Sequence, residues 1–183
     1  MGTESTAITR TRRLCRQLAA RLIARRGADE LWRGRLSDSA LATAVAVLAL
    51  ERAGDENDQQ RISRAVHWLA SNIHRDGGWG DCPAAPSNLT ATLLVRCALG
   101  SLCAEHPVVA SADRWIARRI GTSASPEAIA TAILQAYGDD RTFSTPILAV
   151  CAATGQLGRD MPQSWSRVPP LPFELGILPH RVL

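Results

Sequence analysis

A tryptophan-bearing turn that follows a helix occurs twice in this sequence, at Trp32 and again at Trp79, 47 residues later. The helical context of Trp68 recurs at Trp115, which is also 47 residues further on. A period near 47 residues, with two helices in each period, is typical of stacked helical hairpins. No segment alternates apolar and polar residues over any length, so strands are not expected. The repeat therefore predicts an all-α fold.

The second turn, within residues 64–81, is the better developed of the two. Before it, apolar residues follow a helical period: Val66, Leu69, Ala70 and Ile73, with Trp68 alongside. The helix is expected to end at Asn72, and Asp76-Gly77-Gly78 favours a tight turn because glycine tolerates positive φ angles. Trp79 is then expected to fold back on the helix end, with its indole N–H available to a partner. The next helix is expected to begin near Ser87-Asn88, residue types that cap helices.

The chain is predicted to form one repeat domain of residues 11–183 after a flexible N-terminus of residues 1–10. Its repeats are expected to span about 11–54, 61–103 and 111–137, with the first helix over Thr11–Arg26 and serine caps at Ser39 and Ser87. We call the tryptophan-bearing turns at Trp32 and Trp79 the Gly-Trp turns. In the third repeat, Thr122–Pro126 replaces such a turn, and Pro126 lies in the first turn of the next helix. After Gly138 a loop and one more apolar helix are expected. Four prolines preclude a regular helix across the apolar tail, residues 165–183.

Composition and charge favour a globular protein, because 46% of the 183 residues are hydrophobic and 21% are charged. The net charge is +4, and the first 35 residues hold a cluster of arginines: Arg10, Arg12, Arg13, Arg16, Arg21, Arg25, Arg26, Arg33 and Arg35. Such a basic face could meet nucleic acid or anionic lipid. We favour a solvated helix face, and no nucleic-acid partner is predicted, because no DNA-binding signature accompanies the arginines.

Five cysteines, an odd number without CxxC spacing, argue against a disulfide framework and favour a reducing compartment. Cys97 and Cys103 are interpreted as small core residues. We predict a cytoplasmic protein, because the sequence shows neither a secretory signal nor about 20 consecutive apolar residues. No cofactor or metal site is predicted: His74, Asp81 and Cys82 cluster around the turn without a second Cys/His pair to complete a zinc site.

The stretch RAVHWLASNIHRDGGWGD resembles the QW repeat of squalene–hopene cyclases and related class II triterpene cyclases, with Asn72 where the repeat usually has glutamine. The resemblance makes five residues structural members of the motif: Trp68, Asn72, Gly77, Gly78 and Trp79. Protein prenyltransferase β subunits and complement thioester domains carry similar repeats. The motif therefore implies a partial α/α-toroid, of the terpenoid cyclase and protein prenyltransferase kind, more strongly than any chemistry.

A second resemblance lies in the tail. The pattern W-x-x-VP-x-x-P-x-EL is similar to the segment after the second N-terminal repeat of triterpene cyclases, and here comprises Trp165, Val168, Pro169, Pro172, Glu174 and Leu175. YGDDRTFSTPIL also resembles the bacterial squalene cyclase pattern upstream of it. Together the similarities cover most of residues 28–181 in the correct order. By this resemblance Trp165 lines the substrate cavity, with Pro170 and Leu171 at its entrance channel. Simple packing of Trp165 on the preceding helix is the alternative.

The cyclase family protonates a polyene with an aspartic acid of a DxDD motif, and this sequence has none. The only consecutive aspartates, Asp139-Asp140, precede Arg141 in a predicted loop, and we interpret them as a helix-end or salt-bridged turn. A catalytic acid of this kind needs an apolar, enclosed site. No catalytic residue is therefore predicted.

The resemblance implies an N-terminal portion of a squalene–hopene-cyclase-like protein that supplies toroid repeats and part of an apolar cavity, and that is inactive alone. If a partner chain supplied DxDD, the pair would be an isomerase or lyase of terpenoid biosynthesis. Predicted partners are squalene or another polyprenoid, a second cyclase chain or a second copy, and a membrane surface met by the apolar segment Val168–Leu178. The alternatives are a non-enzymatic α-toroid that binds lipid or protein, and a prenyltransferase-like subunit.

Overall fold

The computed structural model describes residues 2–34, 36–121 and 124–170, with side chains from residue 8 onwards. Its α-helices are α1 (Gly2–Ala24), α2 (Ala40–Ala53), α3 (Gln59–Ser71), α4 (Leu89–Leu102), α5 (Pro107–Ile120), α6 (Pro126–Tyr137), α7 (Arg141–Ala153) and α8 (Met161–Ser166). A 3-10 turn, Glu56–Asp58, precedes α3. Within the described ranges there is no strand, only an isolated bridge between Arg26 and Trp32. The predicted all-α class is confirmed.

Two compact units make up the chain, Met1–Ser37 and Asp38–Leu183. The boundary falls inside the first predicted repeat, so α1 and α2 belong to different units. The first unit consists of α1 and the turn that follows it. α1 begins at Gly2, earlier than the predicted start near Thr11, because residues 3–10 contain neither glycine nor proline to break the helix. Flexibility of residues 1–10 stays a prediction.

The second unit is built around α4, which packs against α2, α5 and α7. Nine residues of α4 are buried, among them Leu93, Val95 and Leu99. Sequential helices also pack against each other, as in α2 with α3 and α6 with α7. Short connections between such neighbours produce helical hairpins. The second unit is therefore a set of stacked hairpins, as expected of an α/α-toroid segment.

Polar caps mark the starts of these helices. The side chains of Ser39 and Asn88 accept hydrogen bonds from the backbone N–H groups of Ala42 and Ala91, three residues further on. The predicted cap at Ser87 is wrong by one residue, because Asn88 caps α4 and Ser87 bonds within the preceding turn. The prediction that Pro126 lies in the first turn of the helix, here α6, is confirmed. No helix of the described residues is long and apolar enough to cross a bilayer.

Candidate functional site

The second Gly-Trp turn holds the tryptophan in the core of the second unit. The Trp79 indole Nε1 donates to the Leu69 carbonyl oxygen at 2.9 Å, and its backbone N–H donates to Thr92 Oγ1 at 3.0 Å. Trp79 is only 1% exposed. Asn72 Nδ2 donates to the Trp68 carbonyl at 2.9 Å, so its amide ties down the end of α3. The expectation that Trp79 folds back on the helix end is confirmed.

Glycine is required at the two positions before Trp79 for different reasons. Gly77 has φ of 89°, a left-handed conformation that L side chains rarely adopt. At Gly78 a Cβ atom would lie 2.8 Å from Trp115 Nε1 and 2.9 Å from Ser87 Cβ. α5 therefore approaches the turn so closely that only a hydrogen fits at Gly78.

The Asp76 carboxylate joins this turn to α5. Its Oδ2 accepts from Trp115 Nε1 at 3.0 Å, and its Oδ1 accepts from Ser87 Oγ at 2.8 Å and from the Gly78 N–H at 3.1 Å. Arg118 also donates to the Asp76 carbonyl at 2.7 Å. Loss of solvent around the exposed Asp76 carboxylate raises its pKa, but these hydrogen bonds outweigh that loss and leave the pKa lowered. The carboxylate is thus held ionised as an acceptor and is unsuited to donating a proton.

The first turn repeats the hydrogen bond of the second turn. The Trp32 indole Nε1 donates to the Leu22 carbonyl at 2.7 Å, and both residues lie 47 positions before Trp79 and Leu69. Trp32 is nevertheless 57% exposed, with the Arg26 guanidinium 5.3 Å from its ring centre. Trp32 is therefore not a core residue, although it keeps the hydrogen bond of the repeat. Trp115 is buried in the core of the second unit, and Trp68 is partly buried against that core.

Asp140 has the structural role expected of it. It is the N-cap of α7, where its side chain accepts hydrogen bonds from the Thr142 N–H at 3.0 Å and from the Thr142 hydroxyl. This placement supports the helix-end interpretation of the pair with Asp139.

Two of the three residues that cluster around the second turn, His74 and Asp81, have hydrogen-bond partners within the fold. His74 Nδ1 lies 2.9 Å from Ser87 Oγ, and Asp81 Oδ1 accepts from Asn88 Nδ2 at 2.9 Å. Cys82 is partly buried with a free thiol. The described part of the chain contains no group of three or more His, Cys, Asp or Glu side chains that could hold a metal ion.

The candidate cavity wall lies at α8 and the residues that follow it. Ser164 is buried, and its hydroxyl donates to the Leu157 carbonyl at 3.0 Å and to the Gly158 carbonyl at 2.7 Å. Arg167 forms an ion pair with Glu127 of α6. Beside these anchored residues, Trp165 remains 43% exposed.

The described residues continue past this candidate wall as far as Pro170. The Pro169 carbonyl accepts from Thr145 Oγ1 at 3.4 Å, and Val168 packs against the core. Pro170 is exposed. Leu171 and the rest of the predicted tail segment lie outside the described residues.

Sequence spacing does not predict the hydrogen bonds that join Asp76 to Ser87 and Trp115, nor the bond from Arg118 to the Asp76 carbonyl. From the sequence, Trp115 is only a repeat position. The signal that could have found the Asp76–Trp115 bond was the 47-residue period itself, which places α5 beside the turn of the preceding repeat. The side-chain partners depend on that packing and not on the local sequence.

A sequence profile of the squalene–hopene cyclase N-terminal domain matches residues 15–150. The chain belongs to the squalene–hopene cyclase family. The match covers both Gly-Trp turns and helices α2–α6, so the repeat motif and the all-α fold have a common explanation. No solved structure matches the chain.

A curated relative is similar to part of this cyclase-family chain. The squalene–hopene cyclase of Bradyrhizobium diazoefficiens is 36% identical over 100 residues, which cover 46% of this chain and 15% of the relative. The matched segment is thus a small part of that protein.

Proposed function

We propose that this chain supplies the N-terminal repeats of a squalene–hopene-type cyclase and one wall of its apolar polyprenoid cavity. Family membership supports the assignment to terpene cyclisation, and the order of the repeats and the tail segment supports an N-terminal position. The observation that carries the cavity wall is Trp165, an aromatic ring left 43% exposed on an otherwise anchored helix.

Hydrogen bonds hold α8, the helix that carries Trp165, in a fixed position, as a wall of a binding cavity requires. Asp160 caps α8 by accepting from the Gln163 N–H at 3.3 Å, and Ser164 is bonded to carbonyls on its buried side. A bulky ring on such a fixed support offers an apolar surface at little entropic cost to binding. An aromatic face can also stabilise a carbocation that develops along a polyene. In this role Trp165 contacts the substrate and does not transfer a proton.

The proton must come from another chain or segment. Protonation of an alkene needs an enclosed, protonated acid, and the sequence lacks DxDD. Asp140 is committed to capping α7 and Asp76 to the turn. An open half-cavity would also admit water, which would quench a carbocation. The chain alone is therefore expected not to cyclise squalene, whereas the combination with an acid-bearing partner would be an isomerase or lyase.

Measuring the binding of squalene to the full chain in dilute detergent tests whether Trp165 forms part of a cavity wall. Trp165→Ala is expected to weaken binding several-fold, whereas the matched control Trp165→Phe retains most of it because an aromatic face remains. Equal affinity of all three proteins would contradict the role of Trp165. Product analysis of the same mixtures should show no hopene. Hopene formed by the single chain, and abolished by Asp139→Asn or Asp140→Asn, would show that the acid is present after all.

A further inference from the structure

The first unit carries a stripe of exposed leucines along α1. Leu14, Leu18 and Leu22 are spaced four residues apart, which places them on one face of a helix. Their side chains are 50%, 57% and 58% exposed. At the end of the stripe Trp32 bonds to the Leu22 carbonyl and is itself mostly exposed. Within this unit the leucines therefore remain largely uncovered, which is unusual for an aligned apolar face.

Three arginines lie on the other side of the same helix, whereas Arg21 lies beside the leucines. At about 100° per residue, Arg12, Arg13 and Arg16 lie about 120° to 160° around the helix from Leu18. Residues 5–28 contain seven arginines and no Asp or Glu. Among the described side chains, no ion pair joins Arg12, Arg13 or Arg16 to a carboxylate. The positive charge of this face is thus not neutralised locally.

We propose that α1 is an interfacial helix that binds an anionic phospholipid surface. The leucine stripe and Trp32 would enter the boundary between headgroups and acyl chains, while the arginines contact the phosphates. Nucleic acid is the less suitable partner, because phosphate contacts would use the arginines but leave the leucine stripe in water. A solvated helix face, the interpretation favoured from sequence, does not account for three aligned, exposed leucines. The proposal holds whether or not the Trp165 wall binds a polyprenoid.

Vesicle flotation with the full chain tests the proposal. Binding to vesicles of phosphatidylcholine with one-quarter phosphatidylglycerol is expected to exceed binding to pure phosphatidylcholine by about tenfold, and to fall with added salt. The substitutions Leu14→Gln, Leu18→Gln and Leu22→Gln together keep helix propensity but remove the apolar face. They should lower binding about tenfold, as should Arg12→Gln, Arg13→Gln and Arg16→Gln together.

A matched control removes three exposed arginines from the second unit: Arg75→Gln, Arg119→Gln and Arg159→Gln. This variant should bind like the unaltered chain, which separates a specific helix from a general effect of net charge. Equal binding of all variants, or no preference for the anionic vesicles, would overturn the proposal.

Two further results would contradict it. Undiminished lipid binding by the leucine variant, together with tight binding of a DNA duplex, would make the arginines a nucleic-acid site. A lowered melting temperature of the leucine variant without lipid would show that the stripe packs inside the protein. Circular dichroism of each variant checks that α1 keeps its helix content.

Discussion

The two Gly-Trp turns share one hydrogen-bond pattern but differ in burial. Trp32 and Trp79 each bond a carbonyl ten residues upstream, at 2.7 Å and 2.9 Å. The tryptophan of the first turn is 57% exposed and that of the second is 1% exposed. The turn conformation is therefore encoded locally, whereas burial depends on the helices that pack on it.

The two turns form corresponding backbone hydrogen bonds. In the first turn the Gly27 N–H donates to the Leu31 carbonyl at 2.8 Å. In the second the His74 N–H donates to the Gly78 carbonyl at 3.0 Å, 47 residues later. Glu30, with φ of 64°, occupies the place of Gly77, with φ of 89°.

The difference in sequence between the turns reflects their neighbours. Leu31 is exposed where Gly78 is pressed against Trp115 and Ser87. Glu30 tolerates a left-handed φ with support from Arg26, whose Nε donates to the Glu30 carbonyl at 2.8 Å. The glycine at position 78 is thus a requirement of the packing of the second turn against α5 and not of the turn itself.

The aspartates of the two turns differ in the same way. Asp29 Oδ1 and Oδ2 accept from Arg33 at 2.8 Å and 2.5 Å, within the turn. Asp76 instead accepts from Trp115, which is 39 residues away. The Arg33 guanidinium lowers the pKa of Asp29, and the pKa of Asp76 is also lowered, but only Asp76 links separate elements of the fold.

The largest expected effect is the difference in unfolding free energy between replacing Trp79 and replacing Trp32. Trp79→Ala should destabilise the second unit by ~3–5 kcal/mol, because a buried aromatic ring leaves a cavity. Trp32→Ala should cost less than ~1 kcal/mol, because its ring is mostly in solvent. Trp165→Ala should also cost less than Trp79→Ala. Urea denaturation gives these values, and a larger loss for Trp32 or Trp165 than for Trp79 would reverse the assigned roles.

The next largest effect is the loss of stability when a side chain replaces the hydrogen of Gly78. Gly78→Ala should cost ~1–3 kcal/mol, since its new methyl group would overlap the Trp115 indole and Ser87. Gly34→Ala is the matched control in the first unit, where a Cβ would meet no described atom within 4 Å, and it should change stability by less than ~0.5 kcal/mol. Thermal denaturation of both variants measures the difference. Equal stabilities would mean that α5 does not press on the turn.

The smallest expected effect is the contribution of Asp76 to the pH dependence of folding stability. Because the pKa of Asp76 is lowered on folding, its contribution to stability is present above the unfolded pKa, near 4, and is lost as the pH falls through the lower folded value. Asp76→Asn should therefore weaken the dependence of stability on pH below about 4. Asp29→Asn serves as the exposed control and should leave the acid stability of the second unit unchanged. Urea melts between pH 3 and 7 measure both, and identical pH profiles for wild type and Asp76→Asn would contradict the network.

Periodicity was enough to predict the fold because the repeat acts through local rules. The helix before each turn, the indole returning to its end and the cap of each following helix all involve residues within about a dozen positions. The sequence places the caps of α2 and α4 within one residue of Ser39 and Asn88, and Pro126 in the first turn of α6. Burial of Trp32 could not be predicted in this way, because it depends on which helices cover the turn.

The candidate site was harder to predict for the same reason. Trp165 came from a resemblance, and its exposure depends on how Ser164 and Arg167 anchor α8 to residues at Leu157 and Glu127. The hydrogen bond between Asp76 and Trp115 joins the turn to α5, so no short sequence motif predicts it. Side chains that act across elements are visible only once the elements are packed.

Reconstitution tests the central claim, that this chain provides the N-terminal part of a cyclase cavity, most directly. The squalene–hopene cyclase of Bradyrhizobium diazoefficiens would be prepared without the segment that matches this chain, and its hopene formation from squalene measured alone, with this chain, and with its own excised segment as positive control. We predict no product from either protein alone, and hopene from the mixture that falls when Trp165→Ala replaces the unaltered chain. Product from the positive control but none from the mixture would contradict the claim.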